Sequence, residues 1–243
     1  TVAAKSPLTG AIGRTEAGGY FGPELKFAGF DAIVVRGKSP KPVYLYINDG
    51  QVEIRDGAGI WGQNNWETLE TIRQETGEKR IRVASIGQAG ENMVPYACVQ
   101  NDLEHFNGRT GMGAVMGSKN LKAVAVRGTR KPEMADPDAV DALRKWHNDR
   151  IKVHPPNVGL SKVGTTGLVK GLNDTGILTT HNFRDGIFAG ADKINHETYH
   201  STIFDSPGTC YMCTVRCKRR VKLEDEKYPL DKRFGGPEYE SIS

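Results

Sequence analysis

The chain has 243 residues, 37% of them hydrophobic, with 29 glycines, four cysteines and a formal net charge of +4. That length holds one large or two modest domains with ample core. No apolar run approaches the ~20 residues needed to cross a bilayer, no secretory h-region stands out, and four cysteines with three clustered do not make a disulfide framework. The expectation is a cytoplasmic protein of a reducing compartment, with no membrane and no nucleic-acid partner. The mild basic excess suits either an anionic cofactor or a solvated surface.

Thr1-Val-Ala-Ala-Lys5 reads as the tail of a strand, and the stretch from Pro237 to Ser243 lacks a cap, so further sequence is expected on both sides. Ala32–Arg36 and Val43–Ile47 are β-branched and aromatic runs that predict strands. Asn48-Asp49-Gly50 predicts a hairpin into Val52–Arg55, because Asp-Gly supplies the positive φ angles such turns need. Trp66, Leu69 and Ile72 recur every three residues and predict the apolar stripe of a helix that Gly77 ends. Ile81–Ile86 and Ala123–Arg127 are further expected strands.

The character changes at Thr129-Arg-Lys-Pro132. Asp136-Pro137 predicts a helix start, since the carboxylate can cap free amides and proline fits the first helical position. Val140, Leu143, Trp146 and His147 would form that helix's buried stripe. Pro155-Pro156 should break the chain, and Gly164–Gly167 should open another helix through Leu168, Val169 and Leu172. The expected architecture is α+β: a β-rich domain over 1–130, then a mainly helical domain over 131–243.

Two glycine-rich segments punctuate the first part, Gly18-Gly19-Tyr20-Phe21-Gly22 and Gly108-Arg-Thr-Gly111-Met-Gly113-Ala-Val-Met-Gly117. Glycines let main-chain amides approach a phosphate or heterocycle closely. The second segment is not a dinucleotide fingerprint, because three residues separate Gly113 from Gly117 where that motif has two. Nor is it a P-loop, because Ser118-Lys119 reverses the required order. Tight turns between strands are the alternative. Arg109 tips the balance towards an anionic ligand, since its fork of donors matches phosphate geometry.

Near the C-terminal end stands Cys210-x-x-Cys213-x-x-x-Cys217. These spacings suit an iron–sulfur cluster, which needs four thiolates or a substitute. Zinc more often brings separated pairs; a zinc site and unliganded thiols remain the alternatives. The radical-generating cluster motif runs in the opposite order, three residues then two.

With these residues in hand, the chain resembles the tungsten-containing aldehyde ferredoxin oxidoreductase family. The match rests on Lys5–Gly10, the stretch Gly18–Ile33, Gly111–Lys122, and the cysteine trio followed by Gly236-Pro-Glu-Tyr-Glu-Ser241, in the family's order. The resemblance implies a two-sheet N-terminal domain forming a base under the pterins, then the start of a helical domain. It also implies a tungsten (or molybdenum) bis-pterin centre beside a [4Fe–4S] cluster. Cys210, Cys213 and Cys217 would be three cluster ligands, the fourth lying downstream of Ser243. Gly18, Gly19, Gly108 and Gly111 would sit against pterin, with His105 and Arg109 in the same loop. Main-chain carbonyls at Glu16 and Phe106 would hold Mg2+ between the pterin phosphates.

Three departures from the family pattern matter. Glu16 replaces an asparagine, His105 stands where relatives have arginine, and an arginine bridging cluster and pterin would fall just before Thr1. Glu240 matches a glutamate proposed to transfer protons near the metal, with Glu238 a weaker candidate; an ordinary loop glutamate is the alternative. The implied reaction is oxidation of a small aldehyde plus water to a carboxylate, with ferredoxin or another electron-transfer protein as partner in a homo- or hetero-oligomer. Reduction of an aromatic thioester is the alternative within the family, and a zinc-stabilised binding module the alternative outside it.

Other candidates have plainer expected roles. Cys98 reads as a buried small hydrophobe. His181, His196 and His200 read as polar surface or caps, with His196 and His200 able to share a helix face. Lys218-Arg-Arg-x-x-Lys222 suits docking of an acidic electron carrier or neutralisation of a negative cluster, and Tyr44 and Tyr46 read as packing.

Overall fold

The computed structural model describes residues 1–239. The chain divides into two compact units, Thr1–Glu133 and Met134–Ser243.

In the first unit, β1 (Val2–Lys5) pairs antiparallel with β2 (Ile12–Thr15), and α1 (Phe21–Phe27) follows. The expected strand at Ala32–Arg36 does not form. Its β-branched residues favour extended backbone, but no strand of the described residues pairs with it; Val34 and Val35 are exposed. Then come β3 (Val43–Asn48), β4 (Gln51–Asp56), α2 (Asn65–Thr76), β5 (Arg82–Ser85), α3 (Gln88–Glu91), β6 (Val99–Asn101), β7 (His105–Asn107), α4 (Met112–Ser118) and β8 (Leu121–Arg127). The β3–β4 hairpin turns on Asp49 (φ 43°) and Gly50 (φ 93°), with Asn48 opposite Gln51, as the Asp-Gly dipeptide requires. A capping box between Asn64 and Glu67 starts α2, and Gly77 in the left-handed conformation ends it.

The larger sheet has the order β4-β3-β8-β5-β6-β7. β3 and β8 run parallel and the other neighbours antiparallel. β8 is central and buried at six of its seven positions. Its side chains alternate between two cores. Val124 and Val126 join Leu45, Ile47, Met112 and Met116 on one face; Ala123 and Ala125 join Tyr44, Leu69, Ile72 and Val83 on the other. Tyr44 and Tyr46 pack in this second cluster as expected. One of the six buried β8 side chains breaks the apolar pattern: Lys122 is fully buried and pairs with Glu91 (2.5 Å).

The second unit is mainly helical, with α5 (Pro137–Ile151), α6 (Pro155–Val163), a 3-10 turn at Thr165–Gly167, α7 (Leu168–Asp174) and α8 (His196–Thr202). Asp136 caps α5 through the Ala139 amide (2.9 Å). The stripe of α5 is not buried, however: Val140, Leu143 and Trp146 are all exposed, since no described element packs on them deeply enough to cover them. Pro155-Pro156 occupies the first turn of α6, where the missing amides cost nothing, so the pair starts a helix as well as ending the preceding segment. Val169, Leu178 and Ala191 form the small core. β9 (Phe204–Gly208) and β10 (Lys218–Val221) form an antiparallel hairpin, and the loop between them carries the three clustered cysteines. No helix among the described residues is long and apolar enough to cross a membrane.

Candidate cofactor loops and cysteine site

In the first unit, β2 and β7 bring the ends of the two glycine segments together. The alternation of β2 buries Gly13 and Thr15 and exposes Ile12 and Arg14; that of β7 buries His105 and Asn107 and exposes Phe106. The buried members stitch the loops. Asn107 Nδ2 donates to the Thr15 carbonyl (3.1 Å), the Arg109 amide donates to Thr15 Oγ1 (3.2 Å), and Ser6 Oγ donates to the Thr110 carbonyl (2.9 Å). Asn101 Nδ2 in turn donates to Asn107 Oδ1 (2.8 Å). Gly19 lies against the His105 ring, so close that a Cβ there would stand 3.0 Å from Nδ1.

The outward members form one rim: Glu16, Gly18, Phe106, Gly108 and Arg109 are exposed. Nothing lies within 4 Å of where a Gly108 Cβ would be. Arg14 pairs with Glu16, and its hydrogen bond and charge hold that carboxyl below its usual range. His105, only 4% exposed, is a support beneath the Gly18-Gly19 turn, whereas Arg109 stands in the open.

The remaining glycines of the second segment serve packing. Gly111 has φ 73°, and a Cβ there would stand 1.9 Å from the Pro95 carbonyl oxygen; it permits the sharp entry into α4. Gly113 and Gly117 let α4 lie directly on the Ala97–Cys98 main chain and on Gly90 of α3.

Behind the rim is a network the sequence did not reveal. Arg82 donates to Asp102 Oδ2 (3.2 Å), its guanidinium carbon stands 4.4 Å from the Tyr20 ring centre, and Asp102 Oδ1 accepts from the Val83 amide (3.1 Å). Burial pushes the Asp102 carboxyl up against these opposing partners. Cys98 corrects its expectation in part: it is half-buried and lines a cavity of about 350 Å3 with Asn65, Gln88, Gln100 and Phe106, and burial pushes its thiol up.

In the second unit, the β9–β10 connection folds into tight turns. The Cys213 amide donates to the Cys210 carbonyl (3.2 Å), the Thr209 hydroxyl lies 3.0 and 2.9 Å from the Cys210 and Cys213 carbonyls, and Met212 and Arg216 have φ of 50° and 55°. None of the cysteines is in a disulfide. The Cys217 thiol is pushed up by burial, then by the charges of Glu238, Cys210 and Cys213. Among the described residues no three His, Cys, Asp or Glu side chains meet at one metal position. A cuboidal cluster does not demand that, because each thiolate binds a different iron. The donor set fits a cluster in chemistry: three thiols on one loop whose carbonyls are met by the Thr209 hydroxyl and by the Arg219 guanidinium of β10.

The basic run is less available for docking than the sequence suggested. Arg219 is 3% exposed, Lys218 pairs with Glu238, and Lys222 pairs with Glu224 (2.5 Å). His196 and His200 do share α8, but not as surface residues. His196 Nδ1 and His200 Nε2 are buried, and the His200 ring stacks on Phe204 at 4.3 Å. His181 is exposed and bonded to Asp185 (2.7 Å). Glu240 lies outside the described residues.

Residues 1–128 match the aldehyde ferredoxin oxidoreductase N-terminal domain, and residues 142–243 match domains 2 and 3 of the same family. The tungsten-containing aldehyde ferredoxin oxidoreductases of Pyrococcus furiosus and Thermococcus kodakarensis are each 44% identical over 99% of this chain, which spans 39% of their length. The aliphatic sulfonate oxidoreductase WOR-like subunit of Pyrococcus furiosus is 38% identical over 59% of the chain and 25% of its own length. Among solved structures, the active site complex BamBC of benzoyl coenzyme A reductase with 1,5-dienoyl-CoA matches with a TM-score of 0.76 and 34% identity, over 93% of this chain and 36% of the matched one. With both family domains matched in order and this identity along nearly its whole length, the chain belongs to the aldehyde ferredoxin oxidoreductase family.

Proposed function

We propose that this chain binds a tungsten (or molybdenum) bis-pterin and a [4Fe–4S] cluster in an enzyme that oxidises a small aldehyde to a carboxylate. The observation that carries the reading is the meeting of the two glycine loops, which presents Gly18, Phe106, Gly108 and Arg109 on one exposed rim above a hydrogen-bonded base. When bound, the metal–pterin centre supplies the two-electron chemistry and the cluster relays electrons to ferredoxin or another electron-transfer protein.

The chain's own residues do the positioning. Residues 1–130 act as the pterin base and residues 131–243 as the cluster-bearing helical domain. Gly18 and Gly108 keep side chains out of the pterin's way, Gly19 and Gly111 let the main chain behind them pack closely, and Arg109 offers its fork to a phosphate. The main-chain carbonyls of Glu16 and Phe106 would be oxygen ligands for Mg2+ accompanying the cofactor's phosphates, and His105 fixes the first glycine turn. Cys210, Cys213 and Cys217 supply cluster thiolates. Glu240 takes up a proton from substrate or water on a carboxylate oxygen. The natural setting is cytoplasmic, in a homo- or hetero-oligomer.

Anaerobic preparation followed by tungsten, molybdenum, iron and sulfide analysis tests the assignment. Iron and sulfide together with one of the heavier metals support it; Arg109→Met should lower pterin content and Cys217→Ser should lower iron content. Stoichiometric zinc with no iron refutes the assignment and favours a zinc-stabilised module. The likeness to the benzoyl coenzyme A reductase complex supports a second reading, reduction of an aromatic thioester. Turnover of aldehydes against aromatic thioesters by the holoenzyme decides between the two reactions.

A further inference from the structure

We infer that Arg219 is the clasp that fixes the cluster-binding loop, a positioning residue for the iron–sulfur centre; this rests on the cluster reading of Cys210, Cys213 and Cys217. Arg219 opens towards the loop from the second position of β10, and its side chain is almost wholly buried. Its donors reach four main-chain carbonyls on two elements. Nη2 donates to Ser161 (2.7 Å) and to Arg216 (2.8 Å), Nε donates to Cys217 (3.3 Å), and Nη1 donates to Lys162 (3.4 Å).

Ser161 and Lys162 lie in the last turn of α6, where carbonyls lack helical partners and the helix dipole is negative. A guanidinium there satisfies those carbonyls and the last cysteine turn at once. Its carbon also stands 5.4 Å from the Phe204 ring centre, so the plane is held from the β9 side as well.

A second observation converges on the same junction. Gly164, which ends α6, has φ 68°, and a Cβ there would stand 2.9 Å from the Cys217 carbonyl oxygen and 3.1 Å from Arg219 Nε. The helix end, the arginine and the third cysteine are thus fitted with no room for one more carbon. Lysine cannot replace this arginine, because one ammonium cannot span carbonyls arranged as a fork. The charge matters too: a cationic group fixed beside a thiolate-ligated cluster favours its more negative, reduced form.

Three variants of the holoenzyme separate these roles: Arg219→Lys, Arg219→Met and Gly164→Ala. In each, iron release to a chelator should be faster by roughly tenfold or more, the effect of losing charge-assisted hydrogen bonds or of displacing the loop. Only Arg219→Met should also lower the cluster's midpoint potential, read by redox titration of its electron paramagnetic resonance signal. Iron release at the wild-type rate in both arginine variants overturns the clasp. Should Arg219→Met fail to fold, Arg219→Lys decides alone. Hydrogen exchange of the 209–217 amides in chelator-treated protein tests the clasp without a cluster: faster exchange in Arg219→Lys supports it, and unchanged exchange refutes it. A wild-type protein devoid of iron sinks the cluster assignment instead, and leaves the clasp to the exchange measurement.

Discussion

Lys122→Met is the sharpest test of how the first unit fastens its outer segments to the central strand. Lys122 Nζ is fully buried between Glu91 Oε1 (2.5 Å) and the Gln63 carbonyl (2.7 Å), and the Glu91 carboxylate, 6% exposed, otherwise accepts only the Gly62 amide among the hydrogen bonds found for it. The pair thereby ties the loop before α2 and the end of α3 to the central strand. Methionine matches the stem but leaves a buried carboxylate without its cation, which costs about 3–5 kcal/mol. With a urea m-value of about 2 kcal/mol per molar, the midpoint should fall by roughly 2 M. A Trp146→Phe background leaves Trp61 and Trp66 as fluorescent reporters of this unit. Adding Glu91→Gln to Lys122→Met should restore more than half of the loss, since an amide can still accept from Gly62 without a charge to bury. A loss below about 1 kcal/mol, or no recovery in the double variant, refutes the account of Lys122 as the compensating charge.

Three further outcomes are expected. Gly117→Ala should cost at least about 2 kcal/mol in urea unfolding, because its Cβ would stand 1.9 Å from the Gly90 carbonyl oxygen and two main chains would have to part. Asp102 has its carboxyl pushed above the ordinary 3.8 by burial, against the pull of Arg82, the Val83 amide and Arg73. The unfolded chain therefore gives up this proton first, the folded state holds more protons in the window above 3.8, and stability falls as pH rises through it. Asp102→Asn should flatten that part of a stability curve measured from about pH 4 to 7. Asp136→Ala removes the acceptor of the Ala139 amide and should cost about 1 kcal/mol, seen as lower helicity in circular dichroism on mild heating.

What the sequence made legible was what depends on neighbours along the chain. Asn48-Asp49-Gly50 declared the hairpin, Gly77 the end of α2, and Asp136-Pro137 the start of α5, because each is a local conformational demand. Ala32–Arg36 failed because a strand needs a partner, and β-branched residues carry no information about whether one is there. The stripe of α5 failed for a related reason: periodicity says which residues could be buried, while burial needs a second surface. In the candidate site, the cysteine spacing was legible, being a local property of one loop. The division of labour among the glycines was not. Gly108 and Gly117 look alike in sequence, yet one faces open space and the other rests on a main chain distant in sequence. Arg219 looked like surface charge within a basic run, because only the fold brings the end of α6 to it.

The turns of the 209–217 loop are closed by the chain's own hydroxyl, amide and guanidinium donors. Many small metal-binding modules acquire their shape only as the ion arrives, so that stripping the metal melts them. Here the hairpin already prescribes the path on which the three thiols hang, so the loop should keep its turns with no metal bound. Under the cluster reading, stripping iron should therefore leave the helices around the loop little changed in circular dichroism.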